Sequence, residues 1–167
     1  MSSVVELATP ADTEHLGRAI GARLRAGDVV VLAGPLGAGK TVLARGIGAG
    51  LGVRGPVTSP TFVIAREHPA LPEGRGVPMV HVDAYRLGGL VELDDLDLDT
   101  DLLSAVVVVE WGEGMAERLA DEHLLIRLRR GDHAGDNNAG DGITGDVRIA
   151  ELRGPARLLP QLPCPLP

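Results

Sequence analysis

Aromatic residues are nearly absent: Phe62, Tyr85 and Trp111 are the only three in 167 residues. Lysine is scarcer still, with Lys40 alone beside fifteen arginines. That excludes an Asn-Lys-x-Asp box, which GTPases use to read guanine, so guanine specificity is not expected. Cysteine occurs once, at Cys164, which excludes an internal disulfide and fits a reducing compartment. No apolar run approaches the ~18 residues of a membrane span, and Met1 to Glu6 has no basic region leading into an apolar core. The expected location is therefore the cytoplasm, with no membrane contact. Positive charge is also in deficit. A net charge of -7 and a pI near 5.1 exclude a basic face that grips nucleic acid unaided, so any nucleic acid would be reached through a partner. The length suits one domain with a full core, placed at 1–154 and followed by a Pro-rich, disordered tail over 155–167.

What is present centres on Gly34-Pro35-Leu36-Gly37-Ala38-Gly39-Lys40-Thr41, which satisfies G-x-x-x-x-G-K-[ST] at every fixed position. The β-branched run Val29 to Ala33 precedes it, and Val42 to Ile47 can carry a helix after it. Strand, glycine loop and helix is the order that a phosphate-binding loop requires. In such a loop the glycines let backbone N–H groups turn inward as an anion nest, and the helix adds its positive end. Lys40 then reaches the outer phosphates, and Thr41 offers a hydroxyl to Mg²⁺.

Around this loop the chain predicts a three-layer α/β fold with a mixed sheet and an antiparallel C-terminal hairpin. Val4 to Leu7 reads as an edge strand. Thr9-Pro10-Ala11-Asp12 supplies an N-cap, a proline at the first helical position and an early acid, opening a helix to about Arg25. The internal glycines of the second helix read as close packing against the sheet. Further strands are expected over Thr61 to Glu67, Pro78 to Asp83, Ala105 to Glu110, His123 to Arg129 and Asp146 to Leu152, with long loops over 69–77 and 131–145. The acid-rich stretch Glu92 to Asp101 reads as a short helix with a solvated face, and Met115 to Ala120 as another.

A phosphate loop states the ligand class without stating the reaction. Thr61, Asp83 and Glu110 are the other candidates, because they stand at strand termini, and ligands of open α/β sheets sit at the carboxyl ends of strands. Either acid suits Mg²⁺, directly or through water. For each, capping the next turn is the alternative. Thr61 lies in a loop placed like the first switch of a GTPase, where a hydroxyl senses the γ-phosphate. Every aromatic adjoins a candidate: Phe62 beside Thr61, Tyr85 two after Asp83, Trp111 after Glu110. His81 shares a strand face with Asp83 and reads as structural. The alternative reading is a P-loop small-molecule kinase, for which the Arg129-Arg130 pair would make a poor lid.

Four stretches in order, namely the loop at 34–41, Thr58-Ser59-Pro60-Thr61-Phe62, His81-Val82-Asp83-Ala84-Tyr85-Arg86-Leu87 and Val109-Glu110-Trp111, resemble the successive motifs of the TsaE (YjeE-like) family. This is the ATPase family of bacterial tRNA threonylcarbamoyladenosine synthesis. The resemblance implies an α/β P-loop ATPase that joins the threonylcarbamoyl-transferase subunit and its non-catalytic paralogue, meeting tRNA only through that complex. The modified adenosine lies beside the anticodon of tRNAs that read ANN codons. The resemblance also implies ATP and Mg as cofactors, Thr41 and Glu110 as metal ligands, and Asp83 as the residue needed for hydrolysis. Lys40 and Thr61 complete the catalytic set. The nucleotide would contact Gly34 to Thr41 and Val42, with Thr9 near the adenine and an arginine of the C-terminal hairpin, Arg130 or Arg148, offered to the nucleotide. Val42 departs from the second threonine carried by many relatives.

Overall fold

The strand β2 (Val29–Ala33) is buried along all five residues, as expected of a run without polar alternation that must be covered on both faces. In the computed structural model, which describes residues 1–61, 64–87, 95, 102–114, 118–131 and 147–159, β2 lies at the centre of a seven-stranded sheet. The chain order is β1 (Ser2–Leu7), α1 (Pro10–Gly21), β2, α2 (Lys40–Leu51), β3 (Ala65–His68), β4 (Met79–Asp83), β5 (Val106–Glu110), β6 (His123–Arg130) and β7 (Arg148–Arg153). Spatially the order is β1-β7-β6-β2-β5-β4-β3. The strands β6, β2, β5 and β4 pair in parallel, whereas β3 pairs antiparallel with β4 at one side of the sheet and β7 pairs antiparallel with both β6 and the edge strand β1 at the other. The expected antiparallel C-terminal hairpin is β6 with β7.

Alternation along β2 assigns its two faces. Val30 and Leu32 pack with Leu16, Ile20, Leu43 and Ile47 of the helices, and Val29 and Val31 face a second cluster with Val80, Val107 and Val109. Both helices therefore lie on one face of the sheet. The other is covered by Leu87, Leu102, Leu119 and Ala120. The helix expected over 92–101 falls outside the described residues except Asp95, and that over 115–120 falls partly outside them.

The helix α1 opens as the sequence predicts. Thr9 is the N-cap, its side chain accepting from the Asp12 N–H while Asp12 accepts in return, and Pro10 follows at the first turn. It ends at Gly21, four residues before the expected Arg25, because Arg23 and Leu24 close tighter turns onto Ile20 and Gly21 and the Arg25 N–H is taken by Asp28 Oδ2 at 2.8 Å. The glycines of α2 also need a different account. Gly46 and Gly50 press against the backbone of α1 and not against the sheet, while Gly48 alone faces Val57, Val53 and Met79. The strand expected over 61–67 begins only at Ala65. Before it, the Ile64 N–H bonds the Pro60 carbonyl at 2.8 Å, so a turn overrides the β-branched propensity of this stretch.

The packed chain extends past residue 154. Leu158 is buried in the main core, the Arg23 guanidinium donates to the Leu159 carbonyl at 3.2 Å, and Arg157 forms two bonds to the buried Asp28 carboxylate at 3.0 and 2.6 Å. The Asp28 carboxylate holds the Arg157 guanidinium above its usual range. Arg157 is itself 44% exposed, so solvent screens the pair and replaces part of what is lost on truncation. Arg157→Ala should lower stability by about 1 kcal/mol, or about 2–4 °C in Tm. A thermal melt that matches the wild type would mean that the 155–159 turn is held by Leu158 and the Arg23 bond to Leu159 without help from Arg157.

Candidate functional site

Because β6, β2, β5 and β4 are parallel, their carboxyl ends share one edge of the sheet. Ala33, Asp83, Glu110 and Arg130 all terminate there, and β7 enters at the same edge with Arg148 opposite Arg130. The glycine loop springs from β2 at the middle of this edge. Gly34 has φ 135° and Gly39, the N-cap of α2, has φ 102°, a region that side-chain-bearing residues rarely occupy. A Cβ at Gly34 would also overlap the Leu128 carbonyl oxygen of β6. The glycines are thus required both by backbone angle and by close strand packing.

A cavity of about 560 Å³ opens at this edge, lined by Gly37, Gly39, Lys40, Thr41, Asp83 and Glu110 together with Leu36, Val42, Ser59, Thr61, Tyr85 and Trp111. Four separate chain segments, 36–42, 59–61, 83–85 and 110–111, therefore deliver the candidates to one place. Gly34, Pro35 and Ala38 of the loop are not part of its lining. Lys40 is buried, its ammonium donating to the Gly34 and Pro35 carbonyls at 2.8 and 2.9 Å. It also lies 3.7 Å from the centroid of the Trp111 ring, a cation–π contact. Burial pushes the Lys40 ammonium below its ordinary range, against the upward pull of the Glu110 and Asp83 carboxylates. Thr41, at the first turn of α2, gives its hydroxyl to both Glu110 oxygens at 3.1 and 3.2 Å.

Asp83 has both oxygens engaged. Oδ2 accepts from Thr61 at 3.0 Å and Ser59 at 3.3 Å, and Oδ1 accepts from the Tyr85 N–H at 3.0 Å. It therefore caps the short 3₁₀ turn Ala84–Arg86 and faces the cavity as well. The Ser59 and Thr61 hydroxyls lie 2.5 Å apart. Two non-glycine residues with positive φ flank this arrangement, Ile64 at 67° and Trp111 at 62°. Such strain is uncommon, above all for a β-branched residue, and it clusters where function fixes the backbone. The Trp111 N–H still extends the β5–β2 ladder by donating to the Leu32 carbonyl at 2.9 Å, and its ring meets Tyr85 at 5.0 Å between centroids.

The nucleotide contacts predicted outside the glycine loop, Thr9 and a hairpin arginine, also lie beyond the cavity lining. Thr9 is occupied as the cap of α1. The two hairpin arginines stand beside Gly37: Arg148 donates to its carbonyl at 3.3 Å, and a Cβ on Gly37 would lie 3.8 Å from an Arg130 nitrogen. Phe62 is outside the described residues. Sequence reasoning missed Ser59 as a partner of Asp83 and read His81 as structural, although its Nε2 lies 2.8 Å from Glu110 Oε1. The only signal in the sequence was the i, i+2 spacing to Asp83.

The donor set can be tested against a divalent cation on its own chemistry. A hydroxyl and a carboxylate are hard oxygen ligands, and they already converge here, which suits Mg²⁺ held by one or two protein groups plus phosphate oxygens. Among the described residues no group of three or more His, Cys, Asp or Glu forms an all-protein metal cage.

Comparison with known proteins gives a consistent picture. Residues 7–138 match the family model for the threonylcarbamoyl adenosine biosynthesis protein TsaE. The chain is 63% identical over 117 residues to the tRNA threonylcarbamoyladenosine biosynthesis protein TsaE of Streptomyces coelicolor, covering 70% of this chain and 78% of that protein. The protein of the same name from Mycobacterium tuberculosis is 62% identical over 130 residues, covering 74% and 76%. Among solved structures, the crystal structure of Bacillus subtilis YdiB superposes with a TM-score of 0.66 at 30% identity, covering 91% of this chain and 84% of that one.

Proposed function

This chain belongs to the family of the threonylcarbamoyl adenosine biosynthesis protein TsaE, and from that premise we propose that it is a P-loop ATPase that binds ATP with Mg²⁺ and hydrolyses it in support of tRNA threonylcarbamoylation. The observation that carries the reading is the convergence of Lys40, Thr41, Asp83 and Glu110 from three chain segments on one cavity at the strand ends. The loop N–H groups and the α2 N-terminus receive the phosphates. Lys40 exchanges the carbonyls of Gly34 and Pro35 for phosphate oxygens, a better match for an ammonium that burial has partly desolvated. Thr41 and Glu110 hold Mg²⁺, which offsets phosphate charge when bound. Asp83 accepts the proton of the attacking water, with Ser59 and Thr61 fixing its carboxylate.

The cytoplasm is the expected location. Among the described residues no helix is long and apolar enough to cross a membrane. Partners in this reading are the threonylcarbamoyl-transferase subunit and its non-catalytic paralogue, with tRNA reached through them. Turnover is slow alone and rises on docking, since an arginine supplied in trans adds roughly 10³- to 10⁵-fold in other phosphoryl-transfer enzymes. The test is tRNA threonylcarbamoylation in a reconstituted system with and without this protein and ATP. Dependence on both supports the reading. No rescue, together with phosphorylation of a small acceptor, would return the kinase alternative.

A further inference from the structure

In the parallel pair β4–β5, Asp83 stands opposite Glu110 and His81 opposite Val108. His81 and Glu110 are therefore diagonal neighbours on one sheet face, the face whose Met79, Val106 and Val108 pack toward the helices. Long side chains bridge such diagonals, and here His81 Nε2 lies 2.8 Å from Glu110 Oε1 with the two side chains 0% and 3% exposed. A carboxylate only accepts, so Nε2 carries the proton and donates. Nδ1 is left buried without a hydrogen-bond partner among the described residues. On the other side the His68 ring lies 6.4 Å away and is no substitute partner.

An unpaired ring nitrogen in a sealed strand is costly, and an aliphatic residue would pack there without that cost. The gain from an imidazole at this position lies in the group that Nε2 holds. Glu110 is a long side chain with a broad terminal torsion, and among the described residues two groups constrain its carboxylate: the Thr41 hydroxyl and His81. Thr41 is itself assigned to the cation, which leaves His81 as the anchor on the protein side. Ligating carboxylates are generally held by such outer partners, whose removal weakens metal binding by about 10- to 100-fold.

We propose that His81 is the positioning residue for Glu110: its Nε2–H fixes Oε1 and aims the carboxylate at Thr41, so that the cation site exists before the cation arrives. The inference rests on the assignment of Thr41 and Glu110 as metal ligands made above. It is tested on the full chain with Mn²⁺ as probe, titrated by electron paramagnetic resonance in the presence of a non-hydrolysable ATP analogue. His81→Leu should raise the Mn²⁺ Kd about 10- to 100-fold, with the affinity for the analogue in the absence of divalent cation unchanged. His81→Gln, whose amide N–H can occupy the place of Nε2–H, should restore most of the Mn²⁺ affinity, and the shorter His81→Asn should not. A merely structural histidine predicts no such difference between Gln and Asn. Wild-type Mn²⁺ affinity in His81→Leu, alongside its loss in Glu110→Gln, would overturn the positioning role and leave the metal assignment standing. Wild-type affinity in Glu110→Gln would overturn both. Should His81→Leu prove unfolded in a thermal melt, equal Mn²⁺ affinity in the Gln and Asn variants would overturn the proposal.

Discussion

Asp83→Asn is expected to lower ATP hydrolysis by about 10²- to 10⁴-fold while leaving nucleotide affinity within a few-fold of wild type. The substitution is nearly isosteric and retains an acceptor oxygen for the Tyr85 N–H, which Asp83 bonds at 3.0 Å, so the cap of the Ala84–Arg86 turn survives. The Ser59 and Thr61 hydroxyls that now donate to Oδ2 can rotate and accept from the new amide, because a hydroxyl serves in either role. The fold should therefore be preserved. What disappears is the only feature of Asp83 that an amide cannot copy, the basic oxygen that takes a proton from water in the proposed reaction. A loss of that size corresponds to about 3–5 kcal/mol in the barrier. The measurement pairs phosphate release with calorimetric nucleotide binding. Hydrolysis within threefold of wild type would reduce Asp83 to a turn cap, the alternative that its sequence position always allowed.

The residues that the sequence made legible are those whose role depends on short-range order. The glycine loop is contiguous, so eight residues identify it without tertiary knowledge, and Asp83 and Glu110 are legible because each ends an apolar run that parallel pairing brings to one edge. Elements set by distant contacts were not legible. The Ala156 to Leu159 turn is flanked by Pro155 and Pro160, yet Leu158 is captured by the core and Arg157 by Asp28, more than a hundred residues away. The stretch at 61–67 is rich in β-branched residues, and only the bond from Ile64 to Pro60 explains why its strand begins late. His81 was half legible: the shared face with Asp83 follows from alternation, but the diagonal reach to Glu110 needs the strand neighbour and register.

The glycines of α2 illustrate the same limit with an opposite sign of effect, and they carry the second large prediction. By helix propensity alone, Gly46→Ala should stabilise an interior helical position by about 1 kcal/mol. The structure reverses that sign. Gly17 and Gly21 on α1 face Gly46 and Gly50 on α2, each pair four residues apart and so on one helical face. A Cβ on Gly46 would overlap the Glu14 carbonyl oxygen and reach 3.0 Å from Gly17 Cα, while one on Gly17 would fall 2.9 Å from Gly46 Cα. These are backbone atoms in two hydrogen-bonded helices, so no side-chain rotation relieves the overlap and the helices must separate. Separation opens the core that Leu16, Ile20, Leu43 and Ile47 share with β2. The net cost is expected to be about 3 kcal/mol, a fall in Tm of about 6–12 °C. The displacement also acts on the site, because α2 begins at Lys40 and Thr41, and nucleotide affinity should fall in the same variant. A Gly46→Ala protein that melts at or above the wild-type temperature would show that the helices yield without strain and that their close approach is incidental to the position of the loop.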